Sequence, residues 1–189
     1  MSNSGTESFD NTEDITEAAF DHVYSLNARA QFFIGQAAWN HLEDNGRLIL
    51  MSSISAGKLG VKRHALYNSS KMAVIGMVKA FATDFGKRGI TVNGIAPGGV
   101  LSDMFYQNCW NYIPGEIQST EEMRLGSSCA DEGDVGATPD WPPQKLEELT
   151  AKACPLGRCA VPEDIARVVA FLASEDGGWV NGKYRCPLV

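Results

Sequence analysis

Two short apolar runs on either side of the clearest helix constrain this chain more than any other feature. Residues 47–53 (RLILMSS) and 90–96 (ITVNGIA) have strand length and no polar–apolar alternation. A strand with one wet face alternates. A strand covered on both faces does not, and it belongs to a parallel sheet flanked by helices. Between the runs, residues 66–87 place Val74, Met77, Val78, Phe81 and Phe85 on one stripe, and the glycines at 86 and 89 end the helix. A stretch over 12–44 repeats Ile15, Ala19, Val23, Leu26, Phe33, Ala37, Trp39 and Leu42 at helical spacing, with Thr12 as cap and Asn45-Gly46 as stop. Pro162 opens a last helix with Ile165, Val168, Val169 and Leu172 inward, and 179–189 holds room for one short strand. Residues 106–160 read as irregular, and 126–143 (GSSCADEGDVGATPDWPP) as an insertion or disordered loop.

Helix, buried strand, helix, buried strand, helix is the pattern of right-handed crossovers on a parallel sheet. The expected fold class is α/β, a partial Rossmann-like doubly wound parallel sheet. The 189 residues allow one domain, taken as 1–189. Two or three visible strands, where such sheets usually have about five or more, give the reading of a piece of a larger fold with an exposed sheet edge.

Composition narrows the function classes. Hydrophobic residues at 44% and charged residues at 21% suit an ordinary globular protein. No apolar run reaches the ~18 residues of a membrane span, and no secretory signal is visible, so a cytoplasmic location is expected. Five cysteines, Cys109, Cys129, Cys154, Cys159 and Cys186, are odd in number and lack CxxC spacing. A reducing compartment fits them better than a disulfide framework or a metal cage, so no metal is expected. The net charge of −7 is unevenly spread: residues 1–20 hold five acids and no base, while 47–91 hold eight bases against Asp84. Overall acidity, with no aromatics interleaved among the bases, disfavours nucleic acid.

The chemistry concentrates at Tyr67-Asn68-Ser69-Ser70-Lys71, which opens the long helix 14 residues after Ser53. Tyr67 and Lys71 are one turn apart and share a face. A free phenol titrates near ~10, and a neighbouring ammonium favours the phenolate. Ser53 closes the first buried strand, where the loops after parallel strands meet ligands. Its hydroxyl beside that of Tyr67 would hold a carbonyl or alcohol, forming a proton relay suited to hydride transfer. A hydrolase built on Ser53 with His22, His41 or His64 is the other nucleophile reading, but no GxSxG elbow surrounds Ser53.

Read together, these positions resemble the short-chain dehydrogenase/reductase family. Ser2-Asn3-Ser4-Gly5 resembles its Asn-Asn-Ala-Gly segment, and Asn27 stands where the family has its catalytic helix asparagine. Ser53, Tyr67 and Lys71 match the rest of the tetrad. Pro97-Gly98-Gly99-Val100 matches the loop whose backbone holds the nicotinamide amide, with Ser102 as the assisting hydroxyl. Pro155-Leu156-Gly157-Arg158 and the stretch from Pro162 match its C-terminal region. Several stretches, among them Lys62 to Tyr67 and Asn111 to Pro114, are closer still to fungal naphthol and hydroxyanthraquinone reductases of the versicolorin type.

That resemblance implies NADPH, with NAD not excluded, bound by Asn3, Tyr67, Lys71, Pro97, Gly98, Val100 and Ser102. It implies catalysis by Asn27, Ser53, Tyr67 and Lys71 on a small aromatic polyketide ketone, in a homo-oligomer. Tyr112 would stack on the substrate, with a loop aromatic covering core as its alternative. The family's opening TGxxxGxG loop, which binds pyrophosphate, is absent from these 189 residues. An N-terminally truncated chain is therefore expected, and a catalytically inactive fragment or interaction subunit is the second reading.

Overall fold

The computed structural model describes residues 1–57, 61–112 and 142–185. Three parallel strands, β1 (Arg47–Met51), β2 (Thr91–Ile95) and β3 (Tyr184–Arg185), lie in that order. Leu48 sits opposite Val92, Met51 opposite Ile95 and Gly94 opposite Tyr184. On the far side of β1, Ser2 makes a parallel bridge to Leu50, its N–H donating to Ile49 at 2.8 Å. The expected strands are thus present, each trimmed at its ends. Every residue of β2 is buried, as a run without alternation requires.

The two faces of the sheet have separate cores. Leu48, Leu50 and Val92 point to one side, against Val74, Val78, Phe81, Ala82 and Phe85 of α3 (Ala65–Phe85). Ile49 and Ile95 point to the other, against Ile165 and Leu172 of α6 (Pro162–Ala173). Successive strand residues face opposite sides, so helices cover both. The chain is α/β with part of a doubly wound parallel sheet, as expected.

The 12–44 stretch differs from its sequence reading. It is two helices, α1 (Glu17–Tyr24) and α2 (Ala30–His41), joined by a π-helical turn at Ser25–Arg29. Thr16, not Thr12, caps α1, its hydroxyl accepting the Ala19 N–H at 3.2 Å. The buried positions Val23, Asn27, Gln31 and Gly35 follow at intervals of four through the π-turn. Gln31 and Gly35 are buried, with Ala38, Trp39 and Leu42 partly so, whereas Phe33 is 46% exposed and Ala37 is exposed. Gly35 marks the closest approach of α2 to α3: a Cβ there would overlap the Phe81 ring.

Residues 106–160 also contain more order than expected. α4 (Asp103–Asn108), a 3-10 turn at Cys109–Tyr112 and α5 (Pro143–Ala153) enclose a small third core of Phe105, Cys109, Leu146 and Cys159. The short amphipathic period of α5, Leu146 to Leu149, hides behind Pro142-Pro143. The insertion or loop expected at 126–143 lies, up to residue 141, outside the described residues, and Pro143 opens α5. Cys109, Cys154 and Cys159 are free thiols. Among the described residues no helix is long and apolar enough to cross a membrane.

Candidate active site

The carboxyl ends of β1 and β2 lie side by side, which brings the loops after them together. The Ser52 N–H donates to Ile95 at 2.7 Å, and the Ile54 N–H donates to Pro97 at 3.0 Å. Ser53 therefore sits against the Pro97-Gly98-Gly99-Val100 loop. That loop is tied on its other side by a parallel bridge from Val100 to Ala160. The Ser53 Oγ lies 2.8 Å from the Ser55 Oγ, and the Ser53 hydroxyl is near enough to the phenol of Tyr67 to work against its upward shift.

Tyr67 and Lys71 enter from the first two turns of α3, and both are buried, at 6% and 3% exposure. The Lys71 Nζ donates to the Met51 carbonyl at 3.2 Å and lies 5.7 Å from the centroid of the Tyr67 ring. Gly5 allows this: a Cβ on it would stand 2.8 Å from that Nζ. Asn27, fully buried at the π-turn, clasps the N-terminal segment onto α3. Its Oδ1 accepts the Thr6 N–H at 2.9 Å, and its Nδ2 donates to the Thr6 carbonyl at 2.9 Å and to the Ser70 hydroxyl at 3.0 Å. Asn27 lies four residues after buried Val23 and shares its face.

The remaining predicted residues spread out. Asn3 is exposed beyond the Ser2 bridge. Ser102 is exposed and caps α4, accepting the Phe105 N–H at 3.3 Å. Tyr112 joins the site. Its hydroxyl donates to the Glu7 carboxylate and lies 3.0 Å from the His64 Nε2. Rings pack together around it: His64 is 4.5 Å from Tyr67 and 4.3 Å from Phe9, and Phe9 meets Tyr112 edge-on at 5.2 Å.

Glu7, Phe9 and His64 belong to this constellation and were not singled out for it by the sequence. Glu7 registered only as one of several N-terminal acids, and His64 only as a hydrolase base. His22 and His41 are exposed, and His64 faces Tyr112, so no histidine is paired with Ser53.

Burial governs the electrostatics. It pushes the Tyr67 phenol well above its ordinary value, the Glu7 charge adds to this, and the Ser53 hydrogen bond opposes it. This corrects the expectation that Lys71 makes the phenol more acidic. The ammonium lies against the ring, and desolvation outweighs it. Burial lowers Lys71 to about 8, with Glu7 acting the other way. Burial likewise raises Glu7, against the Tyr112 hydrogen bond and the Lys71 charge. Burial lowers His64 to about 4, leaving its ring neutral at physiological pH. Tyr112 is raised by burial and by Glu7.

A family profile described as short chain dehydrogenase matches residues 1–110. A hydroxynaphthalene reductase-like protein of Metarhizium brunneum is 48% identical over 97% of this chain and 61% of its own. A trihydroxynaphthalene reductase of Pestalotiopsis fici is 44% identical over 96% of this chain and 57% of its own. Among solved structures, an angucycline C-6 ketoreductase with bound NADP superposes with a TM-score of 0.70 at 30% identity, covering 98% of this chain and 58% of the other. A blue fluorescent protein in complex with NADPH, from a metagenomic library, gives 0.71 at 28% identity, covering 97% and 60%. The chain spans about 60% of the length of the curated relatives it matches.

Proposed function

The chain belongs to the short-chain dehydrogenase family, and from that premise we propose that it is an NADPH-dependent reductase of polyhydroxylated aromatic, polyketide-derived ketones in fungal secondary metabolism. The observation that carries the reading is the meeting of the Ser53 hydroxyl with a buried Tyr67 phenol that has the Lys71 ammonium on its ring. The relatives named for hydroxynaphthalene reduction and the aromatic wall of His64, Tyr112 and Phe9 support the substrate class.

The residues present suit the nicotinamide–ribose end of a dinucleotide. An ammonium has three donors, and Lys71 spends one on Met51, leaving two for ribose hydroxyls beside the open Cα of Gly5. Asn3, Tyr67, Lys71, Pro97, Gly98, Val100 and Ser102 are the proposed holding residues, with NAD as the alternative nucleotide. When bound, the cofactor supplies a hydride to the carbonyl carbon. Ser53 donates a hydrogen bond to the carbonyl oxygen and orients it. Tyr67 delivers its proton to that oxygen as negative charge develops there, and the O–H bond of the phenol breaks. Lys71 stabilises the phenolate left behind. The upward shift of Tyr67 keeps it protonated, and so ready to donate, throughout the neutral range. Asn27 holds the segment that carries Gly5 and Glu7, and a water relay through its remaining acceptor is part of the proposal.

Residues 1–189 are taken as one domain in a cytoplasmic homo-oligomer. Phe20, Phe32, Phe33, Ile34 and Met72 are exposed large apolar side chains on α1, α2 and α3, and that face also favours the second reading, an inactive interaction subunit. Fluorescence titration with NADPH separates the two: micromolar binding supports the enzyme, and none up to millimolar supports the subunit. Replacing Tyr67→Phe removes the proton donor and lowers turnover by about 10²–10⁴-fold with an unchanged circular dichroism spectrum. Undiminished turnover in that variant would end the mechanism.

A further inference from the structure

Glu7 is the feature that the reductase chemistry above does not use. Its carboxylate is half-buried beside the proposed proton donor, and its charge acts on both Lys71 and Tyr67. Among the described residues one donor reaches it, the Tyr112 hydroxyl. A carboxylate has about four acceptor positions, so most of its capacity is unspent. Unspent acceptors on a half-buried carboxylate favour a ligand that brings donors as it covers the group. The surroundings restrict which ligand that is. Tyr67, His64, Tyr112 and Phe9 pack ring on ring at centroid separations of 4.3 to 5.3 Å; Tyr67 and His64 are buried, and half-buried Phe9 and Tyr112 keep the open surface that suits an aromatic partner. His64, uncharged at neutral pH, adds no cation to compete for the carboxylate.

We propose that Glu7 determines specificity at this site: held by Tyr112, its carboxylate accepts a hydrogen bond from a ring hydroxyl of an aromatic substrate whose carbonyl lies against Tyr67. This rests on the reading that Tyr67 and Ser53 face the reacting carbonyl. The ring hydroxyl is a second recognition point, remote from the reacting group. Substrates lacking it cover the half-buried carboxylate without giving it a donor, and the site rejects them on that ground.

Calorimetry on the full chain with a naphthalenediol and the corresponding naphthol tests this without turnover. Wild type should bind the diol about tenfold or more tightly, the size of one charge-assisted hydrogen bond. Glu7→Gln should lose that preference while keeping its circular dichroism spectrum. Equal affinities in wild type, no binding of either probe, or a preference unchanged in folded Glu7→Gln would each overturn the proposal. If Glu7→Gln does not fold, Tyr112→Phe decides. Loss of the hydroxyl that holds the carboxylate should reduce the preference by about threefold or more, and an unchanged preference overturns it.

NADPH-dependent turnover of a hydroxylated tetralone keeps the two ideas apart. A Glu7-dependent diol preference without turnover sinks the reductase reading and leaves the specificity role standing. Turnover whose KM ignores Glu7→Gln sinks the specificity role alone.

Discussion

Lys71 keeps its charge at neutral pH against a burial that works to remove it. With its value lowered to about 8, the ammonium is present below that pH and is lost above it. NADPH affinity in wild type should therefore weaken above pH 8, by up to about tenfold per pH unit, when followed by fluorescence titration. In Lys71→Arg, which stays charged, the curve should stay flat through the same range. A flat wild-type curve would remove the ammonium from cofactor binding. His64 makes a prediction of opposite use. Its folded value, about 4, lies below the unfolded value near 6.5, so the unfolded chain binds more protons between them. Stability is then greatest above pH 6.5 and falls as pH drops toward 4, by up to about 3 kcal/mol. Urea denaturation should record that loss in wild type and a shallower slope in His64→Gln. An equal slope in both would show that the imidazole is not held neutral. Tyr67 and Lys71 were legible from the sequence because their pairing is local, four residues along one helix. The direction of the Tyr67 shift was not, because desolvation and the Glu7 charge come from segments far away in the chain.

At the level of elements, the π-turn between α1 and α2 decides more than its five residues suggest. It carries the buried Asn27, whose side chain ties the N-terminal segment to α3 through Thr6 and Ser70. Periodicity alone continues through such a turn unbroken, which is why one helix over 12–44 was expected. Gly35 lies against Phe81, so Gly35→Ala should overpack the α2–α3 contact. A loss of about 1–3 kcal/mol in urea denaturation is expected. A neutral result would mean that the two helices part easily, and the tight seam would not be a determinant of the fold. The strands and α3 were read correctly because each carries a clear period or a clear lack of one. α5 was missed because its period is short and begins after consecutive prolines.

For the whole molecule, Phe32, Phe33 and Ile34 of α2, with Phe20 of α1 and Met72 of α3, leave large apolar surface exposed on three helices. An apolar surface of that kind marks an interface, and a helical face of one copy against its counterpart is the simplest closed arrangement. Sedimentation should find a dimer or larger assembly in wild type and a shift toward monomer in Phe33→Glu. A monomeric wild type at micromolar concentration would leave the face unexplained. The sequence by itself determined the α/β class, the two buried strands, the helix with Tyr67 and Lys71 on one face, and the family resemblance. These follow from periods and motifs within a few residues of each other, where backbone geometry translates spacing directly into direction. Only the tertiary structure brought Glu7, His64 and Tyr112 to the same phenol, reversed the expected shift of Tyr67 and chose which face of α2 meets solvent. Those outcomes depend on distance and water exclusion between segments remote in sequence, which no local pattern encodes.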